Sequence, residues 1–288
     1  MITFPNAKIN LGLRVLRKRN DGFHEIETVF YPVGLCDVLE VLETGETETA
    51  FKCAGLDIGS EPLGFRLKSG SHGHGKGLEV KKNLVLRMYE LLKKDFGLPP
   101  LYIHLYKAIP AGAGLGGGSS DCAFLLKMLN KMFKLGLNGK EMRNYAARLG
   151  SDCAFFLDNK PVIATGRGEI LKPVILKFTD LHIIIVKPGI IINTAEAYSW
   201  VKPADTGESL AHIIELPPSE WKNHLINDFE ESVFSHYPQI RLIKEMLYEA
   251  GAIYASMSGS GSAVFGLFDH KPVLTALPDG FFYWAQNN

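Results

Sequence analysis

From Ala7 to Val15 hydrophobic and polar residues alternate, with Ile9, Leu11, Leu13 and Val15 on one side and Lys8, Asn10, Gly12 and Arg14 on the other. A period of two is that of a strand with one buried face. The charged run that follows ends in Asn20-Asp21-Gly22, turn chemistry suited to a hairpin, so a second strand is expected over 24–31 and a third over 37–42. Leu101, Ile103 and Leu105 alternate in the same way. Helical spacing links Leu84, Val85, Met88, Leu91 and Leu92, with Asn83 as N-cap and Gly97 and Pro99 as the stop. A second helical stripe runs through Cys122, Leu125, Leu126, Leu129 and Met132. Asn138 with Glu141 three places on has capping-box spacing, opening a helix that carries Met142, Tyr145, Ala146 and Leu149 and ends at Gly150. In the second half, strands are expected over 161–165 and 182–186. Pro238 then opens a helix with the stripe Ile240, Ile243, Met246, Leu247 and Ala250, closed by Gly251. A hairpin turns at Gly259-Ser260-Gly261. Helices and strands mix throughout, so the class is α+β in two lobes.

The 288 residues suit two domains of about 150 each. Hydrophobic residues at 46% and charged residues at 22% are ordinary for a globular protein. Thirty-one basic and 31 acidic side chains balance to zero, so no bulk field draws the chain to nucleic acid or an acidic membrane. No apolar run approaches the ~20 residues that span a bilayer, and the first residues lack the pattern of a secretory signal. Cys36, Cys53, Cys122 and Cys153 show no CxxC spacing. They fit a reducing cytoplasm, not a disulfide scaffold. The stretch 55–82 is rich in glycine and serine and reads as a long, mobile loop. Its His72 and His74 make a poor metal site on such a tract.

Chemistry concentrates in Pro110-Ala111-Gly112-Ala113-Gly114-Leu115-Gly116-Gly117-Gly118-Ser119-Ser120-Asp121, between a strand and an amphipathic helix. Five glycines within 112–118 let the backbone curl its N–H groups into a concave nest, and the helix N-terminus adds partial positive charge. Such a site suits phosphate, with Ser119 and Ser120 capping the helix or donating to phosphate oxygens. It is not a Walker A loop, since no Gly-Lys-Ser/Thr follows, and it lacks the dinucleotide spacing.

Taken with Pro5-Asn6-Ala7-Lys8-Ile9-Asn10-Leu11 before it and Ser256-Met257-Ser258-Gly259-Ser260-Gly261-Ser262 after it, this loop resembles that of the GHMP kinases (galacto-, homoserine, mevalonate and phosphomevalonate kinases). Asp21-Gly22-Phe23-His24-Glu25, the triple glycine 116–118 and Leu149-Gly150-Ser151-Asp152 resemble the branch of that family acting on a cytidylyl substrate. The resemblance implies a ribosomal protein S5 domain 2-like N-terminal lobe over 1–160, carrying the ATP loop, and a ferredoxin-like C-terminal lobe over 161–288. It implies ATP-dependent phosphorylation of the tertiary 2-hydroxyl of a methylerythritol carried on cytidine diphosphate, in the non-mevalonate isoprenoid pathway. The family's catalytic lysine and aspartate fall on Lys8 and Asp152: Asp152 as general base toward the hydroxyl, Lys8 orienting it and offsetting charge. ATP would lie along 110–120. His24 would read the cytosine edge and Phe23 and Tyr198 would sandwich the base, with Asn10 and Thr194 as further substrate contacts. Gly259, Ser260 and Gly261 would support the nucleotide loop. Mg²⁺ is expected with ATP, its ligands unassigned among Ser119, Ser120 and Asp152. The implied partner is the small-molecule cytidine diphosphate substrate, with no nucleic acid and no membrane, for a cytoplasmic monomer or weak homodimer.

The chain departs from the family pattern in three places. Phe23 stands where tyrosine is common, which keeps a stacking face and loses a hydroxyl. Cys153-Ala154 replaces a frequent valine-proline, and 55–82 is long. The competing readings are another GHMP kinase, such as a mevalonate or homoserine kinase, and a non-catalytic nucleotide- or RNA-binding protein on the same fold.

Overall fold

The computed structural model describes residues 1–56, 64–67, 83–176, 178, 180–205, 208–273 and 277–286. Its strands are β1 (Ile2–Thr3), β2 (Asn6–Lys18), β3 (His24–Cys36), β4 (Val38–Glu43), β5 (Thr49–Gly55), β6 (Gly64–Leu67), β7 (Leu101–Lys107), β8 (Val162–Gly166), β9 (Ile170–Pro173), β10 (His182–Lys187), β11 (Tyr254–Met257), β12 (Val264–Phe268) and β13 (Phe282–Gln286). The helices are α1 (Leu84–Phe96), α2 (Gly117–Met132), α3 (Gly139–Ala147), α4 (Phe155–Asp158), α5 (Thr194–Trp200), α6 (Leu210–Ile213), α7 (Phe229–His236) and α8 (Pro238–Glu249). No helix among the described residues is long and apolar enough to cross a membrane.

The chain forms two compact units that interleave in sequence. One contains Met1–Ala7, Leu35–Ala111 and Gly116–Asn159; the other contains Lys8–Gly34, Gly112–Leu115 and Lys160–Asn288. The last passage between them falls at Asn159/Lys160, but no contiguous division contains residues 8–34 and 112–115 in the second unit.

The first unit holds the sheet β1-β4-β7-β5-β6, antiparallel except where β5 runs parallel to β7. Leu39, Val41, Phe51, Leu101, Ile103 and Leu105 of this sheet share a core with Val85, Leu86, Met88, Tyr89 and Leu92 of α1 and Leu125, Leu126 and Leu129 of α2. A 13-residue helix such as α1 is marginal alone. Burial of each large apolar side chain is worth about 1.5–3 kcal/mol, so packing holds it. Its ends follow the expected chemistry. Asn83 accepts from the amides of Val85 and Leu86, and Gly97 closes the helix in the left-handed region at φ 67°. Asn83→Ala is expected to lower stability by about 1 kcal/mol, read as a lower urea midpoint with an unchanged slope. An unchanged midpoint would show that packing alone sets this end. The capping box at Asn138 and Glu141 is also present, although α3 stops at Ala147, before Gly150.

The stretch 55–82 is not wholly loop. Gly55 ends β5, and Gly64–Leu67 is a strand antiparallel to it, a correction to the loop reading. Residues 57–63 and 68–82, with His72 and His74, lie outside the described residues.

The second unit holds the sheets β2-β3-β8-β9 and β11-β12-β10-β13. Val186 and Val264 of one sheet and Leu13, Val15 and Ile26 of the other share a core with Phe229 and Val233 of α7 and Ile240, Ile243 and Leu247 of α8. Pro238 is the first residue of α8, where a missing N–H is harmless. One expectation fails in an informative way. β2 is buried on both faces through Leu13, with Lys8 3% and Asn10 1% exposed. The polar face is covered because the Lys8 ammonium donates to Gly114 O and the Ser258 hydroxyl donates to Asn10 Oδ1.

Candidate active site

Gly112, Gly114 and Gly116 are left-handed, at φ 58°, 74° and 72°. Between them Ala113 and Leu115 bury their side chains. Alternating left-handed glycines with anchored apolar residues is the backbone arithmetic of a nest. Gly114 has no alternative: a Cβ there would lie 1.9 Å from Ser258 O. Its carbonyl accepts from Lys8 Nζ at 2.8 Å and from the Ser258 hydroxyl at 2.9 Å. Ala263 N donates to Ala113 O, so the turn between β11 and β12 rests on residues 112–115. Within that turn Gly259 packs on Gly114, Gly261 would clash with Met257 if it carried a Cβ, and Ser260 shares a 3.2 Å hydrogen bond with Thr194. Asn227 holds the turn by donating to Met257 O and Gly259 O.

α2 begins differently from expectation. Its N-cap is the left-handed Gly116, with no side-chain cap, so Ser119 and Ser120 lie inside the first turn and do not cap it. Ser120 is fully buried and its hydroxyl has no hydrogen-bond partner among the described residues. The first helical bond runs from Ser120 N to Gly116 O. The earlier amides of Gly117, Gly118 and Ser119 therefore have no carbonyl in this helix to serve.

Lys8 Nζ donates to Asn10 Oδ1 at 2.5 Å and lies 5.0 Å over the Phe30 ring. Asn10 in turn donates to Thr28, whose hydroxyl donates to Gly12 O. The ammonium is thus aimed by a fixed network at the carbonyl inside the glycine loop.

Asp152 is half-buried in the 3₁₀ turn Ser151–Cys153; it is not an N-cap. Its neighbour Cys153 is buried and hydrogen-bonded to Cys122 of α2 and to Ser119. Packing there is close: a Cβ at Gly150 would come within 3.3 Å of Cys153 Sγ and 3.7 Å of Ser119 Oγ. The Cys153-Ala154 departure therefore fills interior space beside α2, and it sets the Asp152 turn against the end of the glycine loop. The hydrogen bond to Cys153, together with burial, pushes the Cys122 thiol up, and the same bond holds Cys153 below its ordinary value.

A cluster that the sequence reading missed lies behind this loop. Lys107, the last residue of β7, places its buried ammonium on Asp37 and, at 2.7 Å, on Asp121. Asp37 Oδ1 also accepts from Ala108 N at 2.6 Å and Ile109 N at 2.8 Å. Burial pushes the Asp121 carboxyl up to about 7, against the pull of Lys107.

The turn between β2 and β3 carries Phe23, and β3 opens at His24. His24 lies flat on Tyr198, with ring centres 4.7 Å apart and planes 11° apart, and Tyr198 meets Phe229 edge-on. Asn193 caps the helix that presents Thr194 and Tyr198. Phe23 is set apart from this stack, 52% exposed, with the Arg167 guanidinium 4.7 Å over its ring. Arg167 had no sequence signal. Burial, with Lys18 nearby, pulls the His24 pKa down. Arg17, Lys18, Arg19, Asn20, Asp21 and Glu25 line an adjoining open cavity of about 350 Å³.

Among the described residues no three His, Cys, Asp or Glu side chains gather as a metal site. Buried Ser120 cannot reach an ion, while Ser119 and Asp152 each offer an oxygen. These donors fit a magnesium ion that arrives on a nucleotide, which needs only one or two protein oxygens, and do not fit one caged by protein.

Comparison with known proteins agrees with the geometry. The family model for the GHMP kinases N terminal domain matches residues 83–160, and that for the GHMP kinases C terminal matches 219–278. A 4-diphosphocytidyl-2-C-methyl-D-erythritol kinase of Bacteroides fragilis is 49% identical over 279 residues, 96% of this chain and 95% of its own. A protein of the same name from Porphyromonas gingivalis is 46% identical, over 98% and 97% of the two chains. A crystal structure of 4-(cytidine 5'-diphospho)-2C-methyl-D-erythritol kinase superposes with a TM-score of 0.75 at 30% identity, covering 99% of this chain and 98% of the other. The Methanococcus jannaschii mevalonate kinase shares the fold at a TM-score of 0.67 and 15% identity, over 93% and 90%. The left-handed glycine loop, the Lys8 network and the near-full-length identity meet in one conclusion: this chain is a GHMP kinase and belongs with the 4-diphosphocytidyl-2-C-methyl-D-erythritol kinases.

Proposed function

We propose that the chain transfers the γ-phosphoryl group of ATP to the 2-hydroxyl of 4-diphosphocytidyl-2-C-methyl-D-erythritol, a step in the non-mevalonate supply of isoprenoid precursors. The observation that carries this reading is the 49% identity over 96% of the chain to a relative of that name. In the proposed mechanism the nest at 110–120 receives the phosphates of ATP. Asp152 accepts the hydroxyl proton as the new O–P bond forms and the γ-phosphoryl leaves ADP. Lys8 fixes positive charge beside Gly114 and orients the hydroxyl, with Asn10 holding Lys8 in place. Magnesium, bound with the nucleotide, would supply charge neutralisation between the phosphates. The remaining acceleration comes from positioning and from electrostatics already in place before the reaction.

The cytosine is read on the second unit. A base stacked on Tyr198 displaces His24 sideways, so that the imidazole presents its edge. Neutral His24 has one ring nitrogen that donates and one that accepts. One of these ring nitrogens, together with the His24 backbone, would read the cytosine edge. Thr194, on the same helix as Tyr198, contacts the substrate. Phe23 stays outside the His24–Tyr198 stack in the structure and does not form the second side of a base sandwich there. Gly259, Ser260 and Gly261 support the nucleotide loop. We take the enzyme to act in the cytoplasm as a monomer or weak homodimer.

Base stacking on an aromatic ring is worth about 1–3 kcal/mol, so Tyr198→Ala should raise the KM for the cytidylyl substrate about 5–150-fold. The KM for ATP should stay unchanged in the same steady-state assay. Equal rises in both would remove Tyr198 from the pocket. The reading as a whole is tested by ADP release from ATP and Mg²⁺ with the cytidylyl substrate, mevalonate and homoserine offered in parallel. Turnover with the first alone supports it; turnover with either of the others keeps the kinase and discards the cytosine pocket.

A further inference from the structure

The mechanism above uses neither Lys107 nor the two carboxylates buried with it. The three come from separate parts of the first unit. Asp37 lies between β3 and β4, Lys107 ends β7, and Asp121 is the fifth residue of α2. All three are buried. The stretch between Lys107 and Asp121 is the glycine loop, so their 2.7 Å bond closes the loop at its base. Asp37 secures the entry side further. It takes Lys107 through one oxygen and the amides of Ala108 and Ile109 through the other. Contact at the base is close: a Cβ on Gly117 would come within 2.9 Å of Ile109 Cγ2 and 3.3 Å of Lys107 Nζ. A residue with a side chain there would therefore displace the Ile109 and Lys107 side chains at the loop's entry.

Stability is a poor account of such a cluster. Burying three charges is expensive, and a well-packed apolar substitute is often as stable or more so. Here two carboxylates share one ammonium, and Asp121 Oδ1 is left without a partner among the described residues. What charged groups supply and apolar ones do not is a fixed distance and direction between chain segments. The segments joined here are the two ends of the loop that receives phosphate.

We propose that Asp37, Lys107 and Asp121 form a buried clasp that sets the spacing of the two ends of the glycine loop, and that they are positioning residues for ATP. The clasp touches no substrate. It acts through the backbone of 108–120, so its loss should weaken ATP binding and leave the alcohol substrate's binding alone. This inference rests on the kinase reading, because it needs the loop to hold ATP.

The test measures ATP affinity by calorimetry without the alcohol substrate, and KM for both substrates, in the wild type, Lys107→Met, Asp121→Ala and Asp121→Asn. Lys107→Met strands two buried carboxylates and is the variant at risk of unfolding. Asp121→Ala leaves a balanced Lys107–Asp37 pair, so it carries the test; thermal unfolding confirms that it is folded. A displacement of about 1 Å at a binding loop can cost about 100-fold, so Asp121→Ala should weaken ATP binding at least about tenfold, with the KM for the alcohol within about threefold of wild type. Asp121→Asn keeps an oxygen for Lys107 and should recover most of that loss. Folded Asp121→Ala that binds ATP as the wild type does, a joint rise in both KM values, or Asp121→Asn no better than Asp121→Ala would each overturn the clasp. A wild type that binds no ATP would overturn the kinase reading, and the clasp with it.

Discussion

Asp152→Asn is expected to remove roughly 10²–10⁴-fold of turnover while ATP still binds, because the amide cannot take the hydroxyl proton in the proposed step. The substitution is nearly isosteric. The turn that carries it is held by neighbours, by Cys153 packed on Cys122 and Ser119 and by the close approach at Gly150, so the fold has no reason to change. Lys8→Ala is expected to lose turnover over a similar range, with a further cost. Gly114 O and Asn10 Oδ1 each lose a donor at a buried position. The check is kcat by ADP release beside ATP affinity by calorimetry. Asp152→Asn retaining more than about a tenth of wild-type kcat would rule out its role as the base.

Among the described glycines, Gly114→Ala is expected to be the most damaging substitution. The new Cβ would fall 1.9 Å from a backbone oxygen, Ser258 O, which no rotamer change can relieve. The left-handed φ of 74° adds about 1–2 kcal/mol for any L-residue with a side chain. The loop must move, and with it the carbonyl that Lys8 and Ser258 share. We expect kcat/KM for ATP to fall about 100-fold or more. Gly45→Ala is the control, since its Cβ would meet nothing within 4 Å. Equal activity in the two variants would mean that the nest does not hold the nucleotide.

Local pattern made much of this legible. The alternation along β2, the Asn83 and Asn138 caps, Pro238 at the start of α8 and the glycine turn before β12 all rest on neighbours within a few residues. What escaped depends on distant partners. The polar face of β2 looked solvated because nothing near Lys8 in sequence announces that residues 112–115 and Ser258 cover it. Ser119 and Ser120 looked like caps by residue type. A left-handed Gly116 begins the helix instead and moves both serines inside the first turn. β5 and β6 lie in and beside a glycine-rich stretch with no clean period, and their pairing with β7 and with each other decides them. The Lys107–Asp37 contact joins positions 70 apart, and Arg167 reaches Phe23 only once β8 and β9 have formed their turn. The glycine loop itself was plain in the sequence, because its chemistry is that of the backbone and glycine is the one residue that marks backbone geometry directly.

The measurement that tests the central claim most directly is the fate of the phosphoryl group. Purified chain is incubated with ATP, Mg²⁺ and 4-diphosphocytidyl-2-C-methyl-D-erythritol, and the products are followed by ³¹P NMR. The account predicts ADP together with one new phosphomonoester, on the oxygen of the tertiary 2-carbon, with the cytidine diphosphate linkage intact. A phosphomonoester on another hydroxyl, or the cytidylyl substrate recovered unchanged, would contradict it.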